Sequence, residues 1–188
     1  MVIEVVEHRL ADGESAVLGA APRVVYRVDR DEADYVPGAR VLTGPLHALA
    51  FALVPEPSTR ALLSAELACA PGEERLLRCD RVDFPPGGVA YLHTHQGPGI
   101  RVVLRGTIRV ETQGRSHIYG PLEAWFEPGP EPVFAAASES EPTSFVRCMV
   151  LPMHLRGQSS IRYVRDEDAA KPKPQRYSVF VDEPLEAP

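Results

Sequence analysis

Apolar positions in this chain come in short runs, each closed by proline, glycine or acidic residues. In one run, Ile108 and Val110 alternate with Arg109 and Glu111, the period-two pattern of a strand that buries one face. The triplet QGR at 113–115 follows and is typical of a hairpin turn. Comparable runs cover residues 23–28, 47–54, 61–68, 74–84, 89–95, 100–106, 116–119, 123–128 and 145–152.

These runs predict an all-β domain, because many short strands at nearly even spacing are typical of a sandwich or a barrel. Short helices are expected only near residues 29–35 and 166–170. Residues 166–176 are polar and contain proline, which predicts a linker. The run YSVFV after this linker is expected to be a terminal strand, added either to a sheet edge or to a partner subunit.

Composition narrows the class of protein. Apolar residues make up 44% of the chain, which is typical of a folded globular protein. The net charge of -6 argues against a nucleic-acid partner, which would favour clustered lysine and arginine. No signal peptide is evident, and the longest apolar run, 48–54, is too short to span a bilayer. We therefore expect a soluble, cytoplasmic protein with no membrane partner.

The cysteines predict no disulfide framework. Cys69, Cys79 and Cys148 are an odd number at long spacing and form no CxxC pair. We expect them to be reduced and mostly buried, as small apolar side chains usually are.

A pair of histidines is the strongest chemical signal. His93 and His95 lie one residue apart in a predicted strand, so both project from one face, together with Val89 and Tyr91. Two imidazoles on one face offer two neighbouring ligands to a divalent ion. The alternative is two surface histidines on an edge strand.

The frame around the pair resembles the first motif of the cupin superfamily, G(x)5HxH(x)3-4E(x)6G. Five residues separate Gly87 from His93, and Gly106 stands at the closing glycine. Gly99 or Ile100 stands where the motif has its glutamate. The resemblance covers roughly residues 74–152 and implies a cupin-type double-stranded β-helix, or jelly-roll barrel, with extra N-terminal strands. It divides the chain into N-terminal strands packing on the barrel (1–73), a barrel core (74–165) and a C-terminal linker and arm (166–188).

Residues 122–137 stand where cupins have a second motif, G(x)5PxG(x)2H(x)3N. Pro128 and Gly129 keep the turn, but Pro132 or Val133 stands at the histidine position. Cupins hold iron, manganese, zinc or nickel with three histidines and one glutamate. By this resemblance the chain keeps His93 and His95 alone, which implies a divalent metal that is weakly bound or absent.

A small-molecule pocket is the other expectation for this region. If position 99 faces the barrel interior, Arg101 shares that face and makes an anion-binding pocket with the histidines; otherwise Arg101 is exposed to solvent. Gly99 is expected to leave free space for a water or an anion. Tyr91 and His117 are further pocket candidates, although His117 also fits an exposed strand position. His154, just past the last predicted core strand, is expected to be a loop histidine.

Three functions follow from these expectations. The first is a metal-dependent enzyme of dioxygenase, isomerase or lyase type, with metal ligands His93 and His95. The second is a non-catalytic cupin that binds a small anionic metabolite, such as a carboxylate, without metal. The third is a barrel with no remaining site. Because cupin-like barrels often pair through extra strands, we expect a homodimer.

Overall fold

The computed structural model describes residues 1–68 and 72–185, so Cys69 lies outside the described residues. The chain folds into three stacked antiparallel sheets and a two-stranded ribbon. The first sheet, here the N-terminal sheet, has the strand order β4-β3-β6-β1-β7. Its strands are β1 (Val2–Leu10), β3 (Arg23–Arg27), β4 (Glu32–Val36), β6 (Leu46–Val54) and β7 (Ala61–Glu66). The ribbon pairs β2 (Ser15–Leu18) with β5 (Arg40–Thr43).

The other two sheets face each other as a barrel. The middle sheet, ordered β13-β10-β15-β8-β17, consists of β8 (Arg75–Phe84), β10 (Gly99–Arg105), β13 (Ala124–Glu127), β15 (Thr143–Pro152) and β17 (Arg176–Pro184). The far sheet, ordered β12-β11-β14-β9-β16, consists of β9 (Val89–His95), β11 (Ile108–Thr112), β12 (Arg115–Tyr119), β14 (Val133–Ala137) and β16 (Ile161–Tyr163). A 3-10 turn (Met153–Leu155) and one helix, α1 (Asp166–Ala170), complete the described elements.

Strand pairing in the barrel is that of a hairpin folded over on itself. The chain turns back at the β11–β12 hairpin, and from there the pairs β11·β12, β10·β13, β9·β14 and β8·β15 form in sequence. This pairing divides eight strands between two facing sheets, which is the jelly-roll arrangement. The predicted all-β barrel with extra N-terminal strands is therefore confirmed.

The middle sheet separates two apolar cores. Its outer face packs on the N-terminal sheet through Leu77, Ile100 and Val146, which meet Ile3 and Phe51. Its inner face meets the far sheet through a second cluster that includes Phe84, Trp125, Val133 and Phe145. Adjacent aromatic residues of β13 therefore point to opposite sides, with Trp125 in the barrel and Phe126 against the other core.

The two short helices predicted from the sequence have different outcomes. The helix expected at 29–35 is wrong: residues 28–31 form a turn and β4 follows, which completes a hairpin with β3. Asp31 takes a positive φ of 53° in this turn, a conformation that Asp tolerates. The short helix at 166–170 is confirmed as α1. The terminal strand β17 pairs with β8 of its own chain, at the edge of the middle sheet.

The glycines at the ends of the histidine motif have a conformational role. Gly87 and Gly106 have φ values of 69° and 71°, which L-residues rarely adopt. A side chain at 106 would also come within 2.6 Å of Thr143 Oγ1. In residues 1–68 and 72–185, no helix has the length and apolar character needed to cross a membrane.

Candidate functional site

A β-bulge places the two histidines inside the barrel. The β14–β9 register pairs Val133 with His93 but Ala135 with Ala90, so one extra residue of β9 is accommodated between these pairs. Ala90, His93 and His95 consequently line the cavity between the two barrel sheets. The prediction that Tyr91 shares this face is wrong, because the bulge breaks the alternation. Tyr91 is half-buried elsewhere, with Lys171 Nζ 4.7 Å from its ring centroid.

Hydrogen bonds orient both imidazoles. His93 Nδ1 donates to the Tyr91 carbonyl oxygen at 2.6 Å, so the Nε2 atom of neutral His93 is an acceptor. His95 Nε2 lies 3.2 Å from it and is the matching donor. His95 Nδ1 then accepts from Ser160 Oγ at 3.4 Å. One assignment of protons therefore satisfies the whole chain from Ser160 to the Tyr91 carbonyl.

A row of charged side chains crosses the inner face of the middle sheet. The strand register places Arg101 opposite Arg147 and Arg147 opposite Asp80. Arg147 donates two hydrogen bonds to Asp80, from Nε at 2.6 Å and from the terminal nitrogen at 3.1 Å. Arg101 is only 1% exposed, so it faces the interior and not the solvent.

Glu127 supplies a carboxylate that the motif comparison did not indicate. It lies on β13 directly opposite Gly99. Its Oε1 accepts a hydrogen bond from Trp125 Nε1 at 2.8 Å, and its Oε2 lies 2.7 Å from the Arg101 guanidinium. The same Oε2 is 3.4 Å from His95 Nε2. Arg101 and Glu127 are not aligned for a hydrogen bond, so this contact is an ion pair in which both buried atoms lack a hydrogen-bond partner.

The free space expected beside Gly99 does not exist. A Cβ atom at position 99 would lie 2.5 Å from the Cys148 carbonyl oxygen and 2.7 Å from Met149 Cγ. Glycine is required here because β15 approaches closely, and Gly99 does not line the cavity between the barrel sheets. Its functional contact is through the backbone, since its carbonyl accepts a hydrogen bond from Arg101 at 2.6 Å.

The remaining sequence candidates lie in different places. His117 is exposed on β12, where its ring lies tilted against that of Tyr119 with centroids 4.4 Å apart, so it does not enter the barrel. His154 is exposed in the 3-10 turn. Val133, at the second-motif histidine position, pairs with His93 and lines the cavity, so that position does reach the site but carries an apolar side chain.

Burial determines the charge state of the histidines and cysteines. It lowers the pKa of His93, and it lowers the pKa of His95 further, with an added contribution from the positive charge of Arg101. Both imidazoles are therefore neutral at pH 7. Burial raises the pKa values of the Cys79 and Cys148 thiols, which are free and fully buried as predicted.

The arginines also respond to burial. Burial lowers the pKa of Arg101 to about 10, although Glu127 opposes this effect. The pKa of Arg147 is raised, because the Asp80 carboxylate outweighs the burial effect. Both arginines remain cationic at pH 7, so the cavity contains two buried positive charges beside two neutral imidazoles.

Two adjacent spaces make up the site. The inner cavity, of about 30 Å³, is lined by His93, His95, Arg101 and Glu127 at its polar end. This volume holds one or two water-sized groups. The outer pocket, of about 400 Å³, is lined by residues of β8, β17, the 157–161 loop and the segment that follows α1. Arg147, Ile161 and Tyr177 line both spaces and form their common wall.

Among the described residues, the outer pocket has one cation without a carboxylate partner. Arg147 is paired with Asp80, and Arg78 with Asp182 at 2.9 Å. Lys173 instead donates to the backbone carbonyls of residues 168, 169 and 171 and lies 4.5 Å from the Tyr163 ring centroid. Within the described ranges it has no acidic side chain in salt-bridge distance.

The same pocket contains a buried amide with a free atom. Gln175 is 6% exposed and donates through Nε2 to the Tyr177 hydroxyl at 3.1 Å, while its Oε1 has no partner. Reversing the amide would satisfy Oε1 and leave Nε2 free instead. In either orientation, one buried polar atom of Gln175 remains to be satisfied by a ligand or by water.

The residues present do not fit the divalent-metal site that the resemblance implies. The 3.2 Å between the His93 and His95 Nε2 atoms would give an angle of about 100° at an ion with bonds of about 2.1 Å. An ion on Glu127 Oε2, however, would lie within about 4.8 Å of the Arg101 guanidinium, where the repulsion at an effective dielectric constant of 20 is about 7 kcal/mol. Among residues 1–68 and 72–185, no group of three or more His, Cys, Asp or Glu is arranged to hold a metal ion.

Sequence reasoning missed Asp80, Glu127 and Arg147. A signal was present for Arg147, because it interrupts a β15 run that is otherwise almost wholly apolar, and a buried charge needs a partner. Asp80 gave no comparable signal, because β8 carries four other charged residues. Glu127 gave no such signal, because it ends a short strand just before Pro128.

Comparisons with known proteins found similarity in structure alone. No family model and no curated protein matches the chain, whereas 29 chains among the solved structures do. The DMSP lyase DddQ from Ruegeria pomeroyi DSS-3 is 23% identical, with a TM-score of 0.37 over 39% of this chain and 38% of its own. The polyketide cyclase RemF from Streptomyces resistomycificus is 23% identical, with a TM-score of 0.39 over 50% of this chain and 63% of its own.

A cupin 2 conserved barrel domain protein from Leptotrichia buccalis aligns more extensively, at 15% identity and a TM-score of 0.47, over 78% of this chain and 89% of its own. The chain thus spans less than two thirds of the lyase and the cyclase. Because all three TM-scores are below 0.5, the fold assignment rests on the strand pairing and on the motif residues within the barrel. By these two features, the chain has a cupin-type fold.

Proposed function

We propose that this cupin-fold protein binds a small organic acid without a metal. The ligand occupies the outer pocket and directs its acidic group towards Arg147 and Lys173. The observation that carries the proposal is the surplus positive charge of Lys173 in a pocket of about 400 Å³. Such a volume is within the usual range of small-molecule sites.

Charge balance supports an anionic ligand. The two aspartates of the outer pocket, Asp80 and Asp182, are each held by an arginine, so neither is free to attract a cation. Lys173 adds one positive charge that no acidic side chain offsets in the described parts of the chain. A bound carboxylate would offset this charge as an ion pair, since the three ammonium hydrogens already bond backbone carbonyls.

The free amide atom of Gln175 adds a second requirement. Oε1 accepts a hydrogen bond from a ligand hydroxyl or amine, and the reversed amide donates to a ligand oxygen. A hydroxy acid satisfies Lys173 and Gln175 together. Because the inner cavity admits only one or two water-sized groups, it receives at most the end of such a ligand.

A thermal-shift screen of small hydroxy acids and simple carboxylates tests this proposal. A ligand at 100 times its Kd adds about 2.7 kcal/mol of stability, or about 5–10 °C in Tm. Lys173→Gln is expected to reduce this shift. Lys171→Gln is the matched control, because Lys171 is an exposed lysine that pairs with Asp168 at 2.6 Å and does not line the pocket. Equal shifts in both variants, or no shift with any acid, would reject the proposal.

The second candidate is a metal-dependent enzyme of dioxygenase, isomerase or lyase type. It is favoured by the 3.2 Å approach of His93 Nε2 to His95 Nε2 and opposed by the Arg101 charge on Glu127. Elemental analysis of the purified protein separates the two candidates. About one divalent ion per chain, lost in His93→Ala, would establish this candidate over the metal-free one.

The homodimer expected from the sequence stays a prediction. The terminal strand β17, one of the segments expected to reach a partner, pairs along β8 of its own chain. Sedimentation of the purified protein measures the state directly.

A further inference from the structure

We infer that the positive charge of Arg101 prevents metal binding at a latent metal site. The guanidinium lies beside the position where a divalent ion would bind and repels that ion. The potential donors beside this position are His93, His95 and Glu127, which in the described arrangement do not form a metal site. The inference rests on the metal-free function proposed above and explains how the barrel achieves it.

The position of Arg101 is fixed by its surroundings. One terminal nitrogen donates to the Gly99 carbonyl at 2.6 Å, and the other lies 2.7 Å from Glu127 Oε2. The side chain is among the largest fully buried side chains of the described residues. Since this charge cannot turn away to solvent, it remains next to any ion that enters the inner cavity.

Glu127 is placed where a metal ligand could lie, but its negative charge is already balanced by Arg101. The Trp125 indole holds Oε1 at 2.8 Å, which leaves Oε2 next to His95 Nε2 at 3.4 Å. Oε2 has no aligned hydrogen-bond donor, so it has lone pairs available. Its negative charge is balanced by Arg101, however, and a divalent ion would add a second positive group to the same oxygen.

The two imidazoles also direct ring nitrogens into the inner cavity. The Tyr91 carbonyl fixes the His93 proton on Nδ1, which leaves Nε2 as the electron-pair donor in the cavity. His95 Nε2 faces it at 3.2 Å and holds the one proton that an ion would have to displace. Loss of the guanidinium would leave a buried carboxylate without its counter-charge, beside two nitrogen donors, and this is the condition that favours uptake of a cation.

Cobalt(II) titration of the full chain tests the inference. The wild type is compared with Arg101→Met, which removes the charge and keeps an unbranched side chain, and with Arg101→Lys, which keeps the charge. Binding is measured by visible absorption and by elemental analysis after gel filtration. We expect Arg101→Met to bind about one cobalt per chain at least about 100-fold more tightly than the wild type, and Arg101→Lys to resemble the wild type. Adding Glu127→Gln to Arg101→Met should abolish the gain.

Two results would overturn the inference. One is a wild type that holds about one cobalt per chain and loses it in His95→Gln. The other is a folded Arg101→Met that binds cobalt no more tightly than the wild type. Arg101→Gln serves as the uncharged variant if Arg101→Met does not fold, and the wild-type titration decides alone if neither folds. A failure here is separate from a failure of organic-acid binding, which is measured on the wild type with a chelator present.

Discussion

The two faces of the middle sheet are built from the same strands but have opposite chemistry. On the outer face, Leu77, Ile100 and Val146 pack on the N-terminal sheet in an apolar core. On the inner face, Arg101 and Arg147 lie at alternate positions of the same strands. One face therefore holds the layers together, and the other carries the candidate site.

The difference shows why apolar residues occupy successive positions along much of β10 and β15 in the sequence. A strand covered on both sides needs apolar residues at successive positions, and polar residues survive only where they are paired. Asp80 and Arg147 meet this condition through a two-point hydrogen-bonded ion pair. Arg101 and Glu127 form an ion pair, but the contacting nitrogen and oxygen atoms both lack a hydrogen-bond partner. The inner cavity is therefore the place where a ligand atom or a water is still needed.

Removing one partner of the inner-face ion pair should have the largest effect on stability. Asp80→Asn leaves Arg147 as a buried charge without its counter-ion, which costs about 3–5 kcal/mol. Urea unfolding measures this loss. Glu183→Gln, which removes an exposed pair with Arg156, should cost less than about 1 kcal/mol and is the control. Equal losses in the two variants would contradict the inner-face assignment.

A truncation on the outer face should cost slightly less and should act by packing alone. Leu77 is 1% exposed in the apolar core, so Leu77→Ala should cost about 2–5 kcal/mol through the cavity it leaves. Because no titratable group is removed, this loss should be the same at pH 6 and pH 8 in urea unfolding. A pH-dependent loss would show that the two faces are not independent.

The pH dependence of stability should reflect the inner face. Histidines of the unfolded chain titrate with a pKa of about 6.5, whereas burial lowers the pKa of His93 and of His95 in the folded state. As the pH falls below 6.5, the unfolded chain binds protons that the folded protein does not. Stability is therefore full above about pH 6.5 and is lost by up to about 1.4 kcal/mol per pH unit for each histidine.

His95→Gln should reduce the pH dependence of the free energy of unfolding by the contribution of one histidine. Part of the slope should remain because burial also lowers the pKa of His8 in the N-terminal sheet. Urea unfolding at several pH values between 5 and 8 measures the slope. An unchanged slope in His95→Gln would mean that His95 is not held neutral by the barrel.

The sequence was sufficient for the parts of the site that depend on local spacing. The motif glycines and the two histidines specified the barrel and the face on which His93 and His95 converge. The register from position 99 to Arg101 left an interior position of Arg101 as one of two alternatives, the other being exposure to solvent. Those features depend on alternation within one strand or on a turn that requires glycine.

The parts that escaped prediction depend on pairing between distant strands. The bulge in β9 moved Tyr91 out of the cavity, and no residue type marks its position. Glu127 reaches the site only because β13 pairs with β10, which brings it opposite Gly99. The close approach of Met149 to Gly99 likewise follows from the β10–β15 register, so the expected free space could not be checked from sequence.

Titration calorimetry with the strongest organic acid from the screen tests the central claim most directly. It should be performed once with a chelator and once with added cobalt(II). A metal-independent site predicts one-to-one binding with the same Kd in both conditions. Binding that appears only when the metal is added would contradict the account.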